Sequence, residues 1–221
     1  MLKNFIPATP KPGQEEYQNA IREKDIVLCF GRAGVGKTFL ALNEALHCLV
    51  NGKISRILIV RPYMPSFTGE RIGALPGTLD EKVTPYVEGI KDNLRQLLSR
   101  EQDVIEVLSK IEFTTLSFLR GRSLHNTFII VDEAQNIPIN GDAFKMVLTR
   151  IGKKSKLVIQ GDIDQVDIRP EDSAFTEALN VLQNLNEVAI IELNTTANHR
   201  NPLIDKVLDA YGKFYKNNPC R

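Results

Sequence analysis

Residues 31 to 38 read GRAGVGKT, a spacing of glycines, lysine and threonine that can hold a chain of phosphates. The octet matches G-x-x-x-x-G-K-[ST] in full. It follows the apolar run Ile26, Val27, Leu28 and Cys29 and opens a stretch of helical period. Gly31, Gly34 and Gly36 let the backbone turn its amides inward, with Arg32, Ala33 and Val35 supplying amides between them. The dipole of the following helix adds to the attraction. Lys37 can reach the β- and γ-oxygens of a nucleotide, and Thr38 can offer a hydroxyl to Mg2+. The glycine order is not that of a dinucleotide loop. A kinase, a switch and a nucleic-acid motor can all begin with such a loop, so the discriminating residues lie further on.

In FIIVDEAQN, four apolar residues deliver Asp132 and Glu133 to the carboxyl end of a strand, where the sites of open α/β sheets lie. Asp132 suits the metal side of a phosphate site, through the metal's hydration shell. Glu133 can polarise a water and take its proton, which hydrolysis needs and transfer to an acceptor does not. The blander reading has the pair capping the next turn. KLVIQGDIDQ ends another buried run with Gly161, Asp162 and Gln165. Asp162 and Gln165 are both candidates to sense the terminal phosphate, against a simple turn with solvated acids.

Arginines supply the remaining chemistry. FLRGRSLHN sets Arg120 and Arg122 on either side of Gly121, beside Phe118. Two guanidiniums and a ring can clamp and stack a single strand, or belong to an ordinary surface loop. Arg71, in the Gly- and Pro-rich stretch 61–77, is a further nucleic-acid candidate, whereas GKKSK at 152–156 reads as a solvated turn. Arg200 precedes a helix expected to start near Asn201, with Pro202 in its first turn. Always ionised and fork-shaped, an arginine there suits a developing phosphoryl charge, in its own chain or a neighbour's. Arg150 in LTRIG is the second candidate for that part.

The elements that must position these groups are legible as an alternation. DIVLCF, RILIVR, IEFTT, TFIIVD, KLVIQG and VAIIEL are short and rich in β-branched residues, several of them apolar on both faces. Such runs suit parallel strands covered on both sides. TFLALNEALHCLV, VTPYVEGIKDNLRQLL, GDAFKMVLTRI, SAFTEALNVLQNL and NPLIDKVLDAYGKF carry the helical period. The expected fold is one α/β domain over residues 14–221, three layers with a mainly parallel sheet, preceded by an extended arm at 1–13. Stretch 61–77 fits no period and is longer than most loops of compact domains, which are functional when not merely mobile.

Composition narrows the setting. The chain has 221 residues, 43% hydrophobic and 25% charged, ordinary proportions for a globular protein. A net charge of +1 leaves no global footprint for nucleic acid, so any such contact must use a local patch. Cys29, Cys48 and Cys220 lack metal-ligand spacing and suit a reducing compartment. No stretch reaches the roughly 18 apolar residues of a membrane span, and no leader is visible, so a cytoplasmic protein is expected.

Beyond single motifs, TPKPGQEEYQNAI, GRAGVGKT, RPYMPSFTGERIGALPGTLDEKVTPY, LRGRSL, FIIVDEAQN, LTRIGKKSKLVIQGDIDQVD and RNPLIDKVLDAY follow one another from about residue 9 to 212. In that order they resemble the blocks of the PhoH-like family of P-loop ATPases, related to the first motor core of superfamily 1 helicases. The resemblance implies a RecA-like sheet, with the KLVIQGD strand between the P-loop and VDEAQ strands. It further implies Mg2+-dependent ATP hydrolysis, association with RNA or single-stranded DNA, and a homo-oligomeric, hexameric ring. It sets the adenine-reading glutamine at Gln14. Catalytic parts then fall to Lys37, Glu133, Gln165 and Arg200, and the metal to Thr38 and Asp132. Three departures stand out. Asn201 replaces the histidine of the usual Arg-His-Pro, IRPE follows QVD where LPRG is usual, shifting any phosphate role there to Arg169, and no nuclease domain precedes the core. A minimal, phage-type member without coupled ribonuclease activity is therefore expected. A nucleotide-gated switch with slow turnover and a small P-loop kinase are the alternatives.

Overall fold

Alternation within the strands decides which side of the sheet each residue joins. In β1 (Ile26–Phe30), Val27 and Cys29 enter one core and Leu28 the other. Ile57 and Ile59 of β2 (Arg56–Arg61) share the first core, as do Phe128 and Ile130 of β4 (Thr127–Val131) and Val158 of β5 (Lys156–Gly161). Leu58, Val60, Ile129, Val131, Leu157 and Ile159 face the second. This is the period-2 pattern of strands buried on both faces. With β3 (Ile111–Thr115) and β6 (Val188–Glu192) they form a six-stranded sheet in the order β3-β2-β4-β5-β1-β6, every pairing parallel. The KLVIQG strand lies between the P-loop strand and the VDEAQ strand, as expected.

Helices cover both faces. The first core is roofed by α1 (Glu15–Glu23), α2 (Lys37–Val50), α3 (Leu79–Leu97) and α4 (Glu101–Leu108). The second is covered by a 3-10 turn at Leu116–Leu119, by α5 (Ala143–Leu148) and by α6 (Ala174–Leu182). Helix α4 was not among the helices expected. Its eight residues offer only Val104 and Val107 as fully buried apolar positions, too short a run to register as a period. Residues 4–13 run over the first layer. Ile6 N donates to Leu97 O at 2.9 Å, Phe5 bridges Leu98, and Ala8 N donates to Asn43 Oδ1 at 2.8 Å.

The computed structural model describes residues 4–62, 79–139, 142–163 and 172–193, and helical positions 203, 206, 207, 210, 211, 213 and 214; of 79–85 it describes the backbone. Arg71, Gln165, Arg169 and Arg200 lie outside the described residues, as does most of the stretch 61–77.

Candidate nucleotide site

The phosphate loop joins β1 to α2 at the carboxyl edge of the sheet. Gly34 and Gly36 hold φ of 84° and 95°, left-handed values that a side chain disfavours, and Gly36 is the N-cap of α2. No side chain caps that helix, which leaves its first amides facing the loop. Gly31 is required for a different reason. A Cβ there would stand 2.5 Å from Leu193 O, where the end of β6 crosses the loop's entry. The Lys37 ammonium folds onto the loop's own carbonyls, donating to Gly31 O and, at 3.0 Å, to Arg32 O.

Three neighbouring strands end in a polar row. Val60 pairs with Val131 and Val131 with Ile159, so Arg61, Asp132 and Gln160 follow one another across β2, β4 and β5 at one level. Each lies two residues beyond an apolar residue of the first core, so all three share that face. Gln160, fully buried, gives its amide hydrogens to Asp132 Oδ1 at 3.0 Å and Thr38 Oγ1 at 2.8 Å. Its own oxygen accepts a long bond, 3.4 Å, from the Tyr17 hydroxyl of α1. Burial foremost, with Cys29 and Asp132 nearby, holds the Tyr17 pKa well above its ordinary value, so the hydroxyl stays a donor. Burial likewise pushes the Cys29 thiol up to about 12, which removes it as a nucleophile. Thr38 and Asp132, the two oxygens expected at the metal, are thus joined through one glutamine. Their hard oxygen donor set fits Mg2+.

Glu133 begins the turn after β4 in a left-handed conformation, φ 55°. Such backbone costs a residue with a side chain about 1–2 kcal/mol, so its surroundings must hold it. Gln135 does so, donating from Nε2 to Glu133 Oε2 at 2.7 Å while its Oε1 accepts from Asp162 N at 3.0 Å. Gln135 can pass only because β5 ends in glycine: a Cβ on Gly161 would lie 2.9 Å from Gln135 Oε1 and 2.8 Å from the Phe175 ring. The Glu133 side chain is 43% exposed, so water reaches its carboxylate.

Gly34, Gly36, Lys37, Thr38, Arg61, Asp132, Glu133 and Gly161 line a cleft of about 640 Å³, a volume suited to a nucleotide, together with Ala8, Thr9, Lys11, Phe39, Asn93 and Gln96. Asp162 lines it too, at 5% exposure. Gln14 is a further lining residue, bonded to the phosphate loop. Its Nε2 donates to Val35 O at 2.8 Å and its Oε1 accepts from Lys11 N at 2.9 Å. A carboxamide has two donors and two lone pairs. One of each therefore orients Gln14, and one of each is left for a base edge.

The arginines divide. Arg122 is committed to Glu112, at 2.6 and 3.0 Å, and its carbonyl accepts from Arg150 Nη1 at 3.2 Å. Glu112 is the second residue of β3, so this pair lies towards the amino end of the sheet, away from the cleft. Arg150 also donates to Met146 O and Thr149 Oγ1, which holds it within its own chain. Arg120 is exposed, beside Phe118 at 57% exposure. Sequence reasoning passed over Gln160, Arg61 and Gln135. The usable signal was a polar residue ending an otherwise apolar strand, in phase with the apolar residues of one face.

Fold and site together define a RecA-like P-loop NTPase domain. The PhoH-like protein family matches residues 7–212, and the chain belongs to that family. A PhoH-like protein of Bacillus subtilis is 39% identical over 203 residues, covering 91% of this chain and 62% of the relative. A Synechocystis PhoH-like protein is 38% identical, covering 93% and 62%, and the Escherichia coli protein PhoH 31%, covering 90% and 56%. The chain thus spans about three fifths of the length of these relatives. Among solved structures, the Pyrococcus furiosus Hef helicase domain superposes with a TM-score of 0.50 at 16% identity, covering 84% of this chain and 39% of that one. A Sulfolobus solfataricus SWI2/SNF2 ATPase core in complex with dsDNA gives 0.46 at 16% identity, covering 87% and 46%. No described helix is long and apolar enough to cross a membrane.

Proposed function

We propose that this domain binds ATP with Mg2+ and hydrolyses it by in-line attack of water. The observation that carries the reading is the Thr38–Gln160–Asp132 row beside the phosphate loop, with Glu133 held next to it and open to water. Lys37 would move from the loop carbonyls to the phosphates. Thr38 and Asp132 would hold Mg2+, which supplies charge neutralisation at the transferred phosphoryl group. Glu133 takes the proton of the attacking water, and Gln165 and Asp162 are placed in sequence to register the terminal phosphate. Turnover measured with RNA, with single-stranded DNA and with no polymer tests the reading. ATP consumption under none of these conditions would refute it.

Adenine selectivity depends on Gln14, whose remaining donor and acceptor match the adenine edge. Gln14→Ala should narrow the difference between ATP and GTP in a competition assay. An unchanged ratio would pass the reading role to the backbone or to another wall of the cleft.

The hydrolysis serves remodelling of, or translocation on, RNA or single-stranded DNA. Phe118 and Arg120 form the candidate contact, stacking a base and pairing a phosphate, while Arg122 fixes the loop through Glu112. Arg120→Glu should weaken RNA binding and reduce the salt slope by about one contact. Equal binding across a salt titration would reject the surface. Arg71 remains a further candidate.

A neighbouring subunit closes the exposed side of the cleft in a head-to-tail homo-oligomeric ring, six-membered by family resemblance, with Arg200 reaching the neighbour's phosphate. Mixing Glu133→Gln subunits with Arg200→Ala subunits should restore activity at interfaces that keep both groups. A fully active monomer would exclude the ring.

A further inference from the structure

Arg61 is the last residue of β2, and its side chain lines the cleft beside the two carboxylates. Nη2 and Nε both donate to Asp132 Oδ2, at 2.6 and 3.2 Å, and Nη2 stands 3.6 Å from Glu133 Oε1. The Cζ lies 4.3 Å from the centroid of the Tyr86 ring on α3. Burial works against the guanidinium's charge, yet Asp132 and then Glu133 outweigh it and its pKa is raised. The group is a permanent cation fixed on three sides.

Its manner of pairing is informative. Arginine–carboxylate pairs frequently engage both oxygens with a parallel fork. Here Oδ1 belongs to Gln160, and Arg61 holds Oδ2 alone with one edge of its fork. Nη1 makes no hydrogen bond among the described residues. Two bonds to Asp132 and the Tyr86 ring beside Cζ hold the guanidinium, so the unused donors have a set direction. Among the described lining residues Lys11, Lys37 and Arg61 are cations, of which Arg61 is seen against both carboxylates, and a triphosphate carries more negative charge than Lys37 balances.

We propose that Arg61 contacts the terminal phosphate of the bound nucleotide within its own chain, tethered by Asp132 and braced by Tyr86. The inference rests on the nucleotide reading above and adds to it the residue that tells a triphosphate from a diphosphate. It also supplies an in-chain cation that does not depend on a neighbour.

The test is equilibrium competition between ADP and a non-hydrolysable ATP analogue, with Mg2+ and again in EDTA, on wild type, Arg61→Gln, Arg61→Lys and Tyr86→Leu, each checked by thermal melting. Wild type should favour the triphosphate, and Arg61→Gln should lower that preference about tenfold or more, with ADP affinity changing far less. Arg61→Lys should recover part of it, and the loss should persist in EDTA, where the metal carboxylate has no part. Should Arg61→Gln fail to fold, Tyr86→Leu carries the test, because loosening the brace should lower the same ratio. An unchanged ratio in a folded variant, equal wild-type affinities, or a loss seen only with Mg2+ would overturn the proposal. Wild type binding neither nucleotide would instead overturn the nucleotide reading itself.

Discussion

Glu133→Gln should bind Mg-ATP as tightly as the wild type and turn it over more slowly by about 10²–10⁴-fold, the usual contribution of a positioned base. The amide keeps the size of the side chain and can still bond Gln135, whose Nε2 donates to Glu133 Oε2 at 2.7 Å. The left-handed turn at φ 55° should therefore survive the change. What is lost is the oxygen that accepts water's proton. Measurement of nucleotide affinity beside steady-state turnover separates the two effects. A variant that hydrolyses ATP at the parental rate would remove Glu133 from the mechanism and return it to the role of a turn residue.

Gln160→Leu should strike both the metal site and the fold. Leucine has nearly the volume of glutamine but leaves Asp132 Oδ1 and Thr38 Oγ1 without their donor and Tyr17 without its acceptor. Tyr17 is fully buried, so its hydroxyl finds no water in exchange. One unpaired buried group costs about 1–3 kcal/mol, which denaturant unfolding resolves. Loss of a residue that orients metal ligands typically lowers metal affinity about 10–100-fold. Titrating Mg2+ against a non-hydrolysable nucleotide should show a drop of that order. Unchanged Mg2+ dependence would mean that Thr38 and Asp132 orient themselves.

The two cases mark how far the sequence could be read. GRAGVGKT carries its function in its own spacing, because a loop between strand and helix needs only local residues to turn its amides inward. Asp132 and Glu133 were equally accessible, since an apolar run aims whatever follows it at the strand's end. Gln160 and Arg61 follow apolar runs too, but their meaning depends on register. Only when β2, β4 and β5 lie parallel and adjacent do Arg61, Asp132 and Gln160 form a row. Gln135 was invisible for a related reason, because its role requires Gly161 to leave space 26 residues away in sequence. Arg122 showed the converse. Its flanking glycine suggested a phosphate clamp, whereas Glu112, ten residues earlier, holds the guanidinium. Long-range partners decide such side chains, and no local pattern encodes them.

If water attacks the terminal phosphate in this cleft, as we propose, its oxygen must appear in the released phosphate. Hydrolysis of ATP in 18O-labelled water, with Mg2+ and no acceptor, tests it most directly by mass analysis of the products. Inorganic phosphate should carry one solvent oxygen and ADP none. Absence of phosphate until an acceptor molecule is added would contradict it and make the domain a kinase.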